Sequence, residues 1–400
     1  MSPHENGFSR RRLFTTGAAA AVGGAAVGAA GSYWVSGEEG DRSAADLGAR
    51  TVPFHGRHQA GIDTPPQAHG LFLGLDLREG IDLERWAGVM RILTDDAARL
   101  TQGRPPLADT EPQLAQLPAN LTVTFGFGPG LFHKLGVAEA MPDNFASLPS
   151  YEIDELDPAW SGGDLLVQIC SDDLLALTHA QRMLVKDSRA ILWVVWAQRG
   201  YRNASGVSDE RTQRNVMGQL DGTANPVPDG GEFDETVWAA GSGWFSGGTT
   251  LALRRIRVAM ETWDRLDDGS KEMHIGRTLD NGAPLTGERE SDAPDLDATE
   301  GGIPVIHRNA HIRRATPADG RRILRRSYNY DSGPTADGDS DTGLLFASYQ
   351  ADLSQFTAIQ DRLAESDLLN AYTTPVGSAV FAIPPGCEEG GWIGEGLVDL

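Results

Sequence analysis

The sequence predicts an α+β fold in which one order of elements, strand, helix, strand, strand, helix, strand, occurs twice. Three observations predict it. Strand-like apolar runs and amphipathic helical stretches take this order between residues 70 and 198, and a second series repeats it between 249 and 384. The chain has 400 residues and is 40% hydrophobic, enough for two cores. An order of βαββαβ builds a ferredoxin-like unit with an antiparallel sheet, so two tandem units are expected, residues 55–225 and 226–400.

In the first unit GLFLGLDL (70–77) is a strand-like run, and Asp82 follows as an N-cap. Leu83, Trp86, Met90, Leu93, Ala97 and Leu100 then recur at three- and four-residue spacing, which places them on one face of a helix. NLTVTFGF (120–127) turns Leu121, Val123, Phe125 and Phe127 to one face of a second strand. DLLVQIC (164–170) supplies a third after a loop containing PGLFHKLG, and a helix over 173–187 and the strand AILWVVWAQ (190–198) complete the set.

The second unit reads as the strand TTLALRRI (249–256), a helix around ETWDRL, the strands LRRSYNY (324–330) and GLLFASYQ (343–350), a helix over 353–365 and the strand SAVFAIP (378–384). GLFLGLDL and GLLFASYQ hold different strand positions in their halves, so their likeness reflects a shared environment and not an aligned repeat. Residues 267–322 interrupt the order without strong periodicity; an insertion of that length is functional or disordered, and this one carries VIHRNAHIRRATP.

A formal charge of -22 repels phosphate backbones and acidic membrane surfaces, so nucleic acid is not an expected partner. Cys170 and Cys387 are too few for a thiolate zinc framework or a disulfide scaffold, and both read as free, core-type thiols. At the N-terminus, SRRRLFTTGAAAAVGGAAVGAAG (9–31) sets Arg11 and Arg12 before Phe14 and a mild Ala/Gly/Val stretch ending in small residues. Residues 1–31 therefore resemble a twin-arginine export signal. A transmembrane anchor is the competing reading, weakened by the low transfer energy of Ala and Gly. The expected partner is the twin-arginine translocation machinery and the expected location is extracellular, periplasmic or the cell envelope. Residues 32–54 are polar and read as a flexible linker.

Between the units, GQLDGTANP (218–226) packs an acid, two glycines and a proline into nine residues. Gly218 and Gly222 allow a turn that Asn225-Pro226 ends, and Asp221 is either its local cap or a carboxylate held for chemistry. Taken in order with LTVTFGFGPGLF (121–132), GGDLLVQIC (162–170), the WDR, IGR and GAPL elements of 263–285, HIRRATP (311–317) and ILRRSYNY (323–330), this stretch resembles the dye-decolourising peroxidases, in their exported, iron-acquisition-type branch. The likeness runs from about residue 55 to the C-terminus.

The resemblance implies haem b held by the C-terminal unit, with hydrogen peroxide as oxidant and dyes, phenolics or an iron species as one-electron donors. It assigns Asp221 as distal acid, Arg325 as distal arginine and His311 as proximal iron ligand, with Gly222, Thr223 and Arg277 as further haem contacts. These residue types suit the roles. A carboxylate can take a proton from one peroxide oxygen and return it to the other, and a permanently charged guanidinium stabilises the charge that develops as the O–O bond breaks. A free aspartate titrates near pH 4 and a histidine near 6.5, so an acidic activity optimum is expected. An imidazole oriented by a carboxylate or carbonyl is a strong axial donor, but the acid that orients His311 is not identifiable from sequence.

Competing readings remain at several positions. His307, four residues before His311, suits a two-histidine metal site, and Arg277 reads equally as a surface ion pair. Trp263, Tyr328 and Tyr330 are relay candidates or ordinary core, while His55, His58 and His69 read as surface or loop residues. For the whole protein the alternative is a haem- or iron-handling carrier, which has no need of Asp221 and Arg325. A chlorite-decomposing relative would need no distal acid. Homo-oligomer formation is left open.

Overall fold

Local signals place most of the elements. Asp82 caps the helix Leu83–Thr101 by accepting from Arg85 N, and Asp173 caps Leu174–Ser188 through Ala176 N. Asp352 and Gln355 form a reciprocal capping box at the start of Leu353–Ser366. The computed structural model describes residues 47–204, 207, 212–228 and 230–398. The segment read as an export signal, and residues 32–46 of the expected linker, lie outside the described residues. Residues 47–54 pack onto the body: Asn120 N donates to Arg50 O, Gln102 Nε2 donates to Val52 O, and Phe54 is buried in the core.

The N-terminal strands are β1 His69–Leu77, β2 Thr122–Phe127, β3 Leu165–Ser171 and β4 Leu192–Tyr201. A hairpin of β5 Gln213–Arg214 and β6 Leu220–Asp221 follows, and then β7 Thr249–Val258 opens the C-terminal half. β8 Thr299–Glu300 and β9 Ile303–Pro304 pair inside the insertion. β10 Leu324–Arg325, β11 Tyr328–Pro334, β12 Ser340–Gln350 and β13 Thr373–Ile383 complete the set. β10 and β11 keep one register against β12, with Leu324 opposite Tyr349 and Tyr328 opposite Leu345, so LRRSYNY forms a single interrupted strand.

Each half has the sheet order of a ferredoxin-like unit: β4-β1-β3-β2 in the first and β11-β12-β7-β13 in the second, all antiparallel. The two sheets join at both edges, through Asn329 opposite Tyr201 and Ala382 opposite Phe127, so the strands close into a ring. Gly200 makes one junction possible, because a Cβ there would stand 2.5 Å from Tyr328 Cβ. Alternation along the strands sorts two cores. Leu71, Leu73 and Leu75 of β1 face the long helices with Trp86, Met90 and Leu177, whereas Phe72, Leu251, Leu345 and Phe381 fill the ring.

The expected helix around ETWDRL is two short helices, Met260–Trp263 and Asp268–Ile275, because Asp267 starts a new helix by capping Ser270 N. The insertion is ordered, and Ile275, Ile306, Ala310 and Ile312 give it a small core of its own. Cys170 and Cys387 are both free, Cys170 buried and Cys387 half-buried.

Candidate active site

The GQLDGTANP stretch folds as the β5–β6 hairpin and its exit turn. Asn215 shapes the tip, its Oδ1 accepting from Met217 N and Gln219 N, and Gly218 takes φ +87° there. Gly222, at φ +125°, turns the chain directly after Asp221, a conformation that favours glycine. Arg214 anchors the hairpin by donating to the carbonyls of Gly218, Leu279 and Asp280. Gln213 stands opposite Asp221 in the hairpin register, and its Nε2 donates to Ser327 O.

Arg325, on β10, reaches Asp221: the guanidinium NH1 lies 2.9 Å from Asp221 Oδ1. The backbone of Arg325 is held by Asn225, whose Nδ2 donates to Arg325 O at 2.7 Å and whose Oδ1 accepts from Arg325 N at 3.0 Å. Asp221 Oδ2 has no hydrogen-bond partner among the described residues. The acid sits in the turn and its cation on the strand, so the pair joins the end of one unit to the sheet of the other.

His311 opens the short helix His311–Arg314 in the insertion. Its Nδ1 is 2.6 Å from Asp367 Oδ2. Asp367 is buried at the end of Leu353–Ser366, and its other oxygen accepts from Leu369 N at 3.0 Å, so one carboxylate both caps the following turn and orients the histidine. Leu368 N donates to Asn309 O, tying the two segments by their backbones as well. Burial disfavours charge on His311, but the charge of Asp367 and its hydrogen bond more than offset that and hold the imidazole above its ordinary pKa. Asp221 and Arg325 also act on His311 through their charges, so the histidine and the Asp221–Arg325 pair share one electrostatic neighbourhood.

The other candidates have structural partners in the insertion. Arg277 NH1 donates to the carbonyls of Gly282 and Glu290, and burial lowers its pKa, with Glu290 opposing and Arg325 adding to the shift. Thr223 Oγ1 donates to Glu290 Oε1 at 2.8 Å. His307 is exposed and accepts from Asn309 N within its own turn, while His311 is committed to Asp367. No group of three or more His, Cys, Asp and Glu side chains suited to a metal occurs among the described residues. His58 stacks on Trp238 and bonds Gly247 O, and His55 lies against Cys387. Trp263, Tyr328 and Tyr330 are buried, and Trp263 donates to Met217 O beneath the hairpin tip.

Asp367 and Asn225 are the site residues that sequence reasoning missed as such. Asn225 was legible as a turn residue, and Asp367 carried only the signal of an N-cap before LLNA.

The donor set fits haem. His311 presents Nε2, without a partner among the described residues, as a nitrogen ligand whose other nitrogen is fixed by a carboxylate. The side chains of His311, Arg325 and Asp221 keep 29%, 25% and 11% of their accessible surface, so they line space and are not packed into core. Arg277 and Arg325, close enough to repel, are two cations of the kind that pair with carboxylates.

Two family models match this chain: Dyp-type peroxidase, N-terminal, over residues 59–202, and Dyp-type peroxidase, C-terminal, over residues 212–388. The chain is 39% identical over 360 residues to the dye-decolorizing peroxidase of Thermobifida fusca, covering 85% of this chain and 84% of that one. It is 34% identical over 418 residues to the deferrochelatase of Escherichia coli K12, covering 96% of each. The crystal structure of a DyP-type peroxidase from Cellulomonas bogoriensis superposes with a TM-score of 0.86 at 48% identity, over 88% of this chain and 99% of that one.

Proposed function

From the premise that this chain belongs to the Dyp-type peroxidase family of haem-dependent enzymes, we propose that it is an exported peroxidase acting on dyes, phenolics or other bulky one-electron donors, with Asp221, Arg325 and His311 as its working residues. The observation that carries the reading is the Asp221–Arg325 pair set in one electrostatic neighbourhood with a histidine already oriented by Asp367.

His311 Nε2 would ligate the iron, and Arg277 and Arg325 would hold the propionates, with Gly222 giving the backbone close approach and Thr223 fixing the loop through Glu290. Bound there, haem would supply the redox chemistry: two-electron reduction of hydrogen peroxide and one-electron oxidation of two donor molecules. The protein handles the protons, since peroxide, two electrons and two protons give two waters. Asp221 Oδ2 accepts the proton of one peroxide oxygen and returns it to the other, so that water leaves. Arg325 holds Oδ1 of the same carboxylate and turns its remaining N–H groups to the oxygen that gathers negative charge. Asp367 keeps the Nδ1 proton of His311 in place, which leaves Nε2 as the donor. The N-terminal segment 1–31 supports export through the twin-arginine pathway.

The test is the absorption spectrum of haem-loaded protein before and after one equivalent of peroxide at acidic pH. Conversion of the Soret band, reversed by a dye or phenol, is the expected result. A second reading, release of iron from haem, has the deferrochelatase relative in its favour. Asp221→Asn separates the two: peroxidase function predicts a loss of about 100-fold or more in peroxide reactivity with haem retained, and an unchanged rate contradicts it.

A further inference from the structure

Asp221 and Arg325 work as a pair, yet no strand pairing joins the segments that carry them. The β5–β6 hairpin is a sheet of its own, and β10 belongs to the large sheet. Carboxamide side chains bridge the gap. Asn329 accepts from Val216 N and donates to Arg214 O, and Gln213 donates to Ser327 O, so the hairpin is fixed along 327–329. At the catalytic end the bridge is Asn225. Its Oδ1 and Nδ2 take both peptide groups of Arg325, at 3.0 and 2.7 Å, as a neighbouring strand would. The same residue closes the turn after the distal acid, because Asn225 N donates to Gly222 O at 2.9 Å. A short path therefore runs from the Asp221 backbone through Gly222 and Asn225 to the Arg325 backbone, and the 2.9 Å ion pair spans its two ends.

We propose that Asn225 is the positioning residue of the distal pair, setting the Arg325 guanidinium against the Asp221 carboxylate across the seam between hairpin and sheet. It touches neither peroxide nor haem in this role, which rests on the peroxidase reading above. A side chain of this shape is required: one acceptor and one donor, held by a single methylene, match one N–H and one C=O. Alanine offers neither. Aspartate keeps the acceptor for Arg325 N and regains a donor only when protonated.

The experiment uses the haem-loaded full chain as wild type, Asn225→Ala and Asn225→Asp, with three measurements. These are the rate with peroxide across pH, the affinity of the ferric protein for fluoride, and the melting temperature. Fluoride reads the guanidinium without turnover, since the bound anion is held by hydrogen-bond donors beside the iron. For Asn225→Ala, misplacement of the pair by about an ångström lowers the peroxide rate about 100-fold. Its rate deficit persists across the pH range, because alanine offers no donor or acceptor at any pH. Its fluoride affinity falls about tenfold, the weight of one weakened charge-assisted hydrogen bond. Asn225→Asp shows the same fluoride deficit at neutral pH and recovers as the pH falls, while the alanine variant does not. A wild-type pH profile and fluoride affinity in both variants, with only a lower melting temperature, would overturn the proposal and leave Asn225 a packing residue. A wild type that does not react with peroxide would instead overturn the peroxidase reading, and fluoride affinity would still decide the role of Asn225.

Discussion

Asp367 divides one carboxylate between two roles, Oδ2 to the His311 ring and Oδ1 to Leu369 N. The two roles separate under substitution. Asp367→Asn leaves one acceptor oxygen where the carboxylate has two, so it keeps either the cap or the acceptor for His311 Nδ1, and it removes the negative charge that makes the imidazole a strong donor. We expect haem affinity or peroxide reactivity to fall by about 10- to 100-fold and the ferric reduction potential to rise, as measured by haem titration and spectroelectrochemistry. An unchanged potential would mean that the charge of Asp367 does not reach the iron. The alanine variant should lose about 1 kcal/mol of stability as well, through the missing cap. Asp221, His311 and Arg325 of the candidate site stand in motif stretches that the sequence shows directly. The role of Asp367 was not legible, since its partner lies 56 residues away and only the packing of the insertion against the end of Leu353–Ser366 brings them together.

At the scale of elements, the helices Leu83–Thr101 and Leu174–Ser188 contain an acid pair. Asp96 is 4% exposed, and burial together with a hydrogen bond and repulsion from Asp187 pushes its pKa up to about 7; Asp95 adds repulsion and Arg99 opposes it. A carboxyl whose folded pKa is raised contributes stability that is fully present below its unfolded value, near 4, and is lost as pH rises through about 7. The lost share is on the order of 2 kcal/mol. The protein should therefore be more stable at pH 4.5 than this pair allows at pH 8, and Asp96→Asn should raise the melting temperature at pH 8 while leaving it nearly unchanged in acid. Equal shifts at both pH values would contradict the assignment. Strand and helix positions were largely legible, because period and caps act within a few residues; β10 and β11 form the one strand read from LRRSYNY. The ETWDRL helix was misjudged in extent, because the Asp267 cap restarts the chain where apolar spacing alone reads through.

At the scale of the whole molecule, two four-stranded sheets that could have stood apart are joined at both edges, and the described residues form one compact unit. Closure leaves neither sheet a free edge at the seam, so calorimetry of the haem-free protein should show one cooperative unfolding transition. Two well-resolved transitions would mean that the junctions at Asn329 and Ala382 carry little coupling. The sequence by itself determined the order of elements and the two-unit plan, because periodicity, capping and turn chemistry are written in neighbouring residues, and its family resemblance pointed to Asp221, His311 and Arg325. Only the tertiary structure decided how the units close on each other, which acid orients His311 and which amide holds Arg325. These contacts span 56 to 255 residues, and they exist only once sheet register and the packed insertion have brought distant segments within hydrogen-bond reach.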